Sequence, residues 1–505
     1  MSSRREFVAL GLGFAVGAHA QETSLEEASI AQLQEGLALG RVTSVQLVHQ
    51  YLDRIANLDK AGPKLNSVIE LNPDAEAIAA ALDRERKERG SRGPLHGVPI
   101  LIKDNIDTGD KMMTTAGSLA LMGMPAPKDA ALVERLRAAG GVLLGKTNLS
   151  EWANFRSTKS TSGWSGRGGQ TLNPYALDRN PSGSSSGSAV AVAASLCAAA
   201  VGTETDGSIV SPASINGIVG IKPTVGLIPS AGIVPISSRQ DTAGPMARTV
   251  ADATLLLSAL TGRDYGGGLG NRNGLKGVRL GVVRDLFTPG ELLGQHLDKT
   301  LATLTRMGAV LVDPVAIPNA SKIEGPELDA LLWEFKSGLN DYLQNRGAAV
   351  KSLKDVIEFN ERNKSRELIH FGQELMIQAE AKGPLNSRAY TSLVSRLSRM
   401  SKGEGIDRVL EDKKLDALVA PTGGLAWVTN YATGDRVSGS DSAPAAVAGY
   451  PHITVPAGEV SGLPVGLSFF GSPRTEIRLI RYAFAFEQET QGRKVPGFRA
   501  SVKVI

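Results

Sequence analysis

The sequence predicts an α/β protein with one largely buried β-sheet. Short apolar runs of strand length alternate with amphipathic helical segments along the chain. Such alternation is typical of a sheet whose faces are covered by helices. Neither an internal repeat nor a linker divides the 505 residues, so we expect one large domain.

The first half of the chain carries most of the helix signals. Ser24 and Glu27 form a capping box before a helix that we expect to end near Gly40, and Thr43 caps a second helix. The further elements predicted here are helix Asp74–Arg89, strand Gly97–Ile102, helix Asp129–Ala139, strand Val142–Leu144 and helix Ser188–Ala200. Residues 157–183 are rich in Ser, Gly, Asn and Pro and predict a long, ordered or functional loop.

The second half repeats the alternation. The predicted elements are strand Val278–Val283, helix Glu291–Met307, strand Val310–Val312, helices up to about residue 400, and strands at Ala417–Ala420, His452–Val455 and Val465–Phe469. The return of strands after residue 400 indicates that both halves contribute to one sheet.

Composition excludes several classes of protein. The 55 Lys and Arg residues against 51 Asp and Glu residues give a net charge of +4, too small an excess to indicate nucleic-acid binding. A single cysteine, Cys197, excludes an intramolecular disulfide and a cysteine-based metal cluster. The six histidines form no H-x-x-x-H pair, so no metal site is expected either.

Residues 1–20 resemble an export signal of the twin-arginine type. Arg4 and Arg5 precede a short apolar run at 8–16, and Ala18-His19-Ala20 fits a cleavage site. The mature chain would begin near Gln21, span 21–505 and be periplasmic or secreted. The apolar run is far shorter than the roughly 20 residues that span a bilayer, and no later segment is apolar enough, so we expect no integral membrane segment.

Two short motifs suggest chemistry that their surroundings disfavour. Residues 140–147 match the phosphate-loop pattern G-x-x-x-x-G-K-T, but the apolar run Val142–Leu144 reads as a strand rather than a phosphate cradle. Residues 183–187 match G-x-S-x-G, with Ser185 as the nucleophile of an α/β-hydrolase-type esterase. A polar stretch with two prolines precedes Ser185 where that motif requires a strand. The esterase would also need a downstream histidine, for which His296, His370 and His452 are the candidates.

Several separated motifs, taken in order, identify a resemblance to the amidase signature family. They lie at 97–105, 145–148, 181–226, 241–245 and 462–466, so the likeness extends over about residues 25–490. Segments 151–156, 168–171 and 202–210 are most similar to the bacterial peptide amidases within that family. The resemblance implies a single large α/β domain with a mixed central sheet covered by helices on both faces.

The resemblance also implies a set of catalytic residues. Ser208 would be the nucleophile, Ser184, at a cis peptide bond, the bridging serine, and Lys103 the base. The amides of Thr205, Asp206 and Gly207 would form the oxyanion hole. No metal or organic cofactor is implied. The substrate would be a peptide or small-molecule amide, most simply a C-terminally amidated peptide that releases ammonia; a broad small-amide or aryl-amide hydrolase is the alternative.

The chemistry requires a lysine that loses its proton near neutral pH. A lysine amine has an ordinary pKa near 10.4, and burial lowers it by disfavouring the charged form. The apolar run that ends at Lys103 suits such burial. Many family members have arginine two residues after the nucleophile, where this chain has Val210, which argues against an anionic substrate group at that position. Asn154, Phe155 and Trp427 are candidates for the substrate pocket, with a core role equally open for the two aromatic residues.

Overall fold

The strands observed in the structure outnumber those predicted. The structure, a computed structural model, describes residues 25–284, 290–436 and 440–504, so the predicted signal segment lies outside it. Its strands are β1 (Val68–Leu71), β2 (Pro99–Lys103), β3 (Val142–Thr147), β4 (Trp164–Ser165), β5 (Gly169–Gln170), β6 (Ala199–Glu204), β7 (Val219–Lys222), β8 (Thr242–Ala247), β9 (Arg279–Val283), β10 (Val310–Val315), β11 (Ala417–Pro421), β12 (His452–Val460) and β13 (Leu463–Phe470).

The strands form one large mixed sheet and one small hairpin. The large sheet has 11 strands in the order β1-β3-β2-β6-β8-β7-β12-β13-β11-β9-β10 within the described residues, and β4 pairs with β5 separately. Strand β2 is parallel to both β3 and β6, whereas β6 is antiparallel to β8. The prediction of an α/β fold with a mixed sheet is confirmed.

Helices flank this sheet. They are α1 (Ile30–Ala38), α2 (Ser44–Arg54), α3 (Ala75–Arg89), α4 (Ala131–Ala138), α5 (Ser186–Ala193), α6 (Val210–Ile215), α7 (Val250–Thr261), α8 (Glu291–Arg306), α9 (Glu324–Arg346), α10 (Leu353–Arg362), α11 (Lys364–Glu367), α12 (Glu374–Glu380), α13 (Arg388–Ser401), α14 (Asp407–Lys413), α15 (Ser442–Ala448) and α16 (Glu476–Thr490). The main core joins α1, α2, α5, α7 and α16 to the sheet, and a second core joins α14 and α15 to strands β9–β11 and β13.

Two helix predictions were wrong in their boundaries. The capping box of α1 is formed by Ser29 and Gln32, not by the predicted pair; Ser24 lies outside the described residues and Glu27 precedes the helix. The predicted helix Ser188–Ala200 ends at Ala193, and its last residues belong to β6. Small apolar residues fit a buried helix and a buried strand equally well, so this pattern did not reveal the boundary.

Helices α9, α10 and α12 form an apolar cluster that is separate from the main core. Leu339 and Phe335 of α9 pack with Trp152, Phe155 and their neighbours in a separate apolar cluster. The Phe155 ring meets Phe335 edge-on at a centroid distance of 5.0 Å. Phe155 therefore packs in an apolar core, one of the two roles that its sequence left open.

The phosphate-loop pattern lies in a buried strand. Val142–Thr147 is β3, and the Lys146 amine is buried against the Ile106 carbonyl and the Thr114 hydroxyl. A Cβ atom at Gly145 would lie 2.3 Å from the Glu70 carbonyl oxygen of β1. Gly145 thus permits close pairing of two strands. No helix of the described residues is long and apolar enough to cross a membrane.

We expect Gly145→Ala to destabilise the fold, because the added methyl group forces β1 away from β3. Overpacking of this kind costs about 1–3 kcal/mol in the free energy of unfolding, measurable by urea denaturation. Gly325→Ala is the control, since Gly325 lies in the first turn of α9, where nothing beyond the local backbone would come within 4 Å of an added Cβ atom. Equal midpoints for the two variants would contradict this account of Gly145.

Candidate active site

Lys103 is the last residue of β2 and has no exposed surface. Its Nζ lies 2.7 Å from Ser184 Oγ, 2.9 Å from Thr203 Oγ1 and 3.1 Å from Ser185 Oγ. It also donates to the Thr203 carbonyl at 3.2 Å. The amine is therefore held by the hydroxyl groups of Ser184 and Ser185 and by the hydroxyl and carbonyl of Thr203 in β6, and it forms no ion pair with a carboxylate of the described residues.

Burial governs the protonation of this lysine. Desolvation lowers the pKa of Lys103 from its ordinary value to about 7, although the nearby carboxylates of Glu204 and Asp241 oppose the shift. The prediction that the apolar end of β2 would keep this amine out of water agrees with the observed burial. At neutral pH a substantial fraction of the amine is uncharged and able to accept a proton.

Ser184 is fixed by the backbone around it. The Gly183–Ser184 peptide bond is cis, as the resemblance implies. The Ser184 carbonyl accepts a hydrogen bond from the Ser150 amide at 3.1 Å. A Cβ atom at Gly183 would lie 2.2 Å from Ser150 Oγ, so glycine is needed for this close approach.

The two serine segments are joined through their backbones. The Ser185 amide donates to the Ser208 carbonyl at 3.1 Å, which places the turn that carries Ser208 against the start of α5. Ser208 is 8% exposed, whereas Lys103 and Ser184 have no exposed surface. The structure thus gathers Lys103, Ser184 and Ser208 from three separate parts of the chain.

The turn before Ser208 is shaped by glycine and by a buried carboxylate. Gly207 has φ +72°, a left-handed conformation that favours glycine. Glu204 Oε2 accepts hydrogen bonds from the amides of Ile209 at 2.7 Å and Val210 at 3.0 Å. The Thr205 hydroxyl donates to Asp241 Oδ1 at 2.7 Å. These bonds anchor the turn on both sides of Ser208.

The amides of Thr205, Asp206 and Gly207 donate to no protein acceptor within the described ranges. Consecutive amides left free in a turn can receive a developing negative charge. The oxyanion hole that the resemblance assigned to these three amides stays a prediction. Burial raises the pKa of the Asp206 carboxyl to about 6, while Ser442, His452 and Lys222 oppose the shift.

Ser185 does not resemble a hydrolase nucleophile. It is fully buried, and its hydroxyl donates to the Thr203 carbonyl at 3.0 Å while accepting from the Thr203 amide and from Lys103. The three candidate histidines have other neighbours: His452 contacts Ser468 Oγ, His296 contacts the Ala457 carbonyl, and His370 stacks on Tyr431. The esterase alternative therefore finds no Ser185–His pair in the described part of the chain.

Residues that the sequence reasoning did not single out complete the site. Thr203 contacts Lys103 through both its hydroxyl and its carbonyl, and its hydroxyl also accepts from Asn105 Nδ2 at 2.9 Å. Glu204 and Asp241 anchor the turn. Glu204 and Asp241 lie in segments 202–210 and 241–245, which carry the family resemblance. The resemblance marked these segments but did not distinguish the two carboxylates from their neighbours.

Sequence comparison decides the family. A family model described as Amidase matches residues 46–480. The chain belongs to the amidase signature family. It is therefore an enzyme that hydrolyses amide C–N bonds, as the resemblance implied.

Individual relatives agree with this assignment. A probable amidase of Arabidopsis thaliana is 45% identical over 502 residues, which cover 94% of this chain and 93% of the relative. The native peptide amidase of Stenotrophomonas maltophilia is 49% identical, with a TM-score of 0.90 and coverage of 94% of this chain and 99% of that chain. A peptide amidase in complex with the competitive inhibitor chymostatin is 50% identical, with a TM-score of 0.91 and coverage of 93% and 99%.

Proposed function

We propose that this amidase removes the C-terminal amide of peptides and releases ammonia, with Ser208 as nucleophile, Ser184 as bridging serine and Lys103 as base. One observation carries the catalytic part: the buried Lys103 amine lies 2.7 Å from the Ser184 hydroxyl, in surroundings that lower its pKa to about 7. A serine hydroxyl is a weak nucleophile unless a positioned base accepts its proton.

The proposed reaction moves one proton along this relay. Ser208 attacks the amide carbonyl while its proton passes to Ser184, whose own proton passes to the neutral Lys103. The amides of Thr205, Asp206 and Gly207 stabilise the tetrahedral oxyanion. The lysine proton then returns through Ser184 to the leaving nitrogen, the C–N bond breaks and ammonia departs. Water cleaves the acyl-enzyme by the same relay.

The peptide-amide specificity has separate support. The peptide amidases reported above are 49–50% identical to this chain over nearly its whole length. A glutamyl-tRNA(Gln) amidotransferase component from Pseudomonas syringae pv. syringae is only 33% identical, over 92% of this chain and 98% of the relative. Val210, an apolar residue beside the nucleophile, also favours an uncharged substrate group at that position.

Ammonia release from amidated dipeptides, compared with simple aliphatic and aryl amides, tests the proposal. We expect the purified enzyme to prefer the amidated dipeptides in kcat/KM. Ser208→Ala should abolish turnover and labelling by a fluorophosphonate probe, because the nucleophilic oxygen is lost. Ser185→Ala is the control and should still be labelled. A higher kcat/KM on a simple amide would contradict the proposed specificity for peptide amides. Labelling of the Ser208→Ala variant would contradict the assignment of Ser208 as the nucleophile.

The proton relay also predicts a pH profile. Protonation of Lys103 removes the base, so kcat/KM should fall by about tenfold for each pH unit below 7 and level off above it. Lys103→Arg should be inactive at every pH, because a guanidinium does not lose its proton in this range. The profile is measured by ammonia release between pH 5 and 9. A flat profile in the wild-type enzyme would contradict a lysine base.

We also propose that residues 1–20 direct export by the twin-arginine route and are cleaved near Gln21. The support is the pattern of Arg4, Arg5, the apolar run at 8–16 and the small residues at 18–20. Replacing both arginines by lysine should keep the enzyme in the cytoplasm, because this route reads the arginine pair. Cell fractionation with an amidase assay measures the outcome, and the single Arg41→Lys variant is the control. Unchanged export of the double variant would reject the proposal.

A further inference from the structure

Asp435 is a half-buried residue, and the proposed mechanism does not use its carboxylate. Its Oδ2 accepts from the Ser162 hydroxyl at 2.5 Å, and its Oδ1 accepts from the Ser162 amide at 3.0 Å. The side chains of Asn154 and Trp427 lie beside the same carboxylate. Asn154 and Trp427, which the sequence suggested for the substrate pocket, therefore both lie next to Asp435.

Two separate contacts place this carboxylate near the reaction site. Ser162, which bonds to Asp435, lies close to Gly183, the residue before Ser184. Its Oγ is 3.1 Å from the position that a Cβ atom at Gly183 would take. On the other side, Trp427 and Ser211 line one small cavity. Ser211 contacts the Ser182 hydroxyl at 2.9 Å, and its amide donates to the Gly207 carbonyl at 2.8 Å. Asp435 is thus linked through Ser162 to the residue before Ser184, and the neighbouring Trp427 shares a cavity with Ser211, which bonds to the turn that carries Ser208.

No cation of the described residues forms an ion pair with the Asp435 carboxylate. Burial raises its pKa above the ordinary value, and the groups that oppose the shift are the uncharged side chains of Ser162, Asn154 and Trp427. A half-buried carboxylate without a cationic partner favours a positively charged ligand, which would restore the lost solvation.

We infer that Asp435 binds a cationic nitrogen of the peptide substrate, on the part of the peptide that precedes the amidated residue. This inference rests on the proposed function and narrows its substrate class. Two sources share the chemistry: the α-ammonium group of a short peptide, and the guanidinium or ammonium group of a basic side chain. Asp435 would act in specificity, outside the proton relay of Lys103, Ser184 and Ser208.

Four matched substrates test the inference by ammonia release. Ala-Phe-amide against N-acetyl-Ala-Phe-amide tests the α-ammonium group, and N-acetyl-Arg-Phe-amide against N-acetyl-citrullyl-Phe-amide tests a basic side chain. In at least one pair we expect the wild-type enzyme to have a kcat/KM roughly ten- to a hundredfold higher for the charged substrate. The difference should arise mainly from a lower KM, and its size is typical of a hydrogen bond to a charged group.

The Asp435→Asn variant should lose this preference and keep its kcat/KM on the uncharged substrates, which also shows that it folds and reacts. Glu374→Gln is the matched control, because Glu374 likewise accepts from a hydroxyl and an amide, those of Ser157 and Thr158. It should keep the wild-type ratio.

Either of two results would overturn the inference alone: the wild-type enzyme shows no preference for charged substrates, or the preference persists in Asp435→Asn. An equal loss of kcat/KM by Asp435→Asn on charged and uncharged substrates would also overturn it and would assign Asp435 to positioning Ser162. If the wild-type enzyme hydrolyses none of the four peptide amides, the proposed function fails, and this inference fails with it.

Discussion

The burial of one amine is the constraint on which the proposed chemistry depends. Lys103 is fully buried at the end of β2, and desolvation lowers its pKa to about 7. An exposed lysine would be protonated throughout the neutral range and could accept nothing from a serine. The sheet provides the dry surroundings because β2 lies in its interior, between β3 and β6, and all five of its residues are buried.

The same strand order also brings the serines to the lysine. Strand β6 runs parallel beside β2 with Ile102 level with Val201, so Thr203, two residues further along β6, lies within reach of Lys103 and contacts its amine. The chain leaves β6 directly into the turn at 205–208, which puts Ser208 at the same edge of the sheet. Parallel strands present their carboxyl ends on one side, where loops from distant parts of a chain can meet. Residues separated by about a hundred positions thus form one cluster.

The sequence predicted the fold class, the family and the residues proposed for catalysis because each depends on a local signal. Strands β2 and β3 were visible as apolar runs, and the serine and glycine residues at 183–187 and 207–208 stand in fixed motifs. Strands β6, β7 and β8 were missed because small or polar residues interrupt their apolar pattern, as Gly244 and Pro245 do in β8. Thr203 lies inside the family segment 202–210, but only the folded chain shows that it contacts Lys103, and the contact between Asp435 and Ser162 joins residues 273 positions apart that no local pattern records.

The carboxylates around the site are arranged so that the lysine can stay uncharged. Glu204 and Asp241 would raise the pKa of Lys103 further if they faced its amine directly. Their oxygens are instead bonded to backbone amides: Glu204 Oε2 accepts from Ile209 and Val210, and Asp241 Oδ2 accepts from Ile236 at 2.7 Å and Ser237 at 2.9 Å. Glu204 thereby orders the backbone just after Ser208, and the charge of each carboxylate is partly satisfied away from the amine. The fold can place two carboxylates close to a neutral lysine because backbone amides, rather than the lysine, donate hydrogen bonds to these carboxylates.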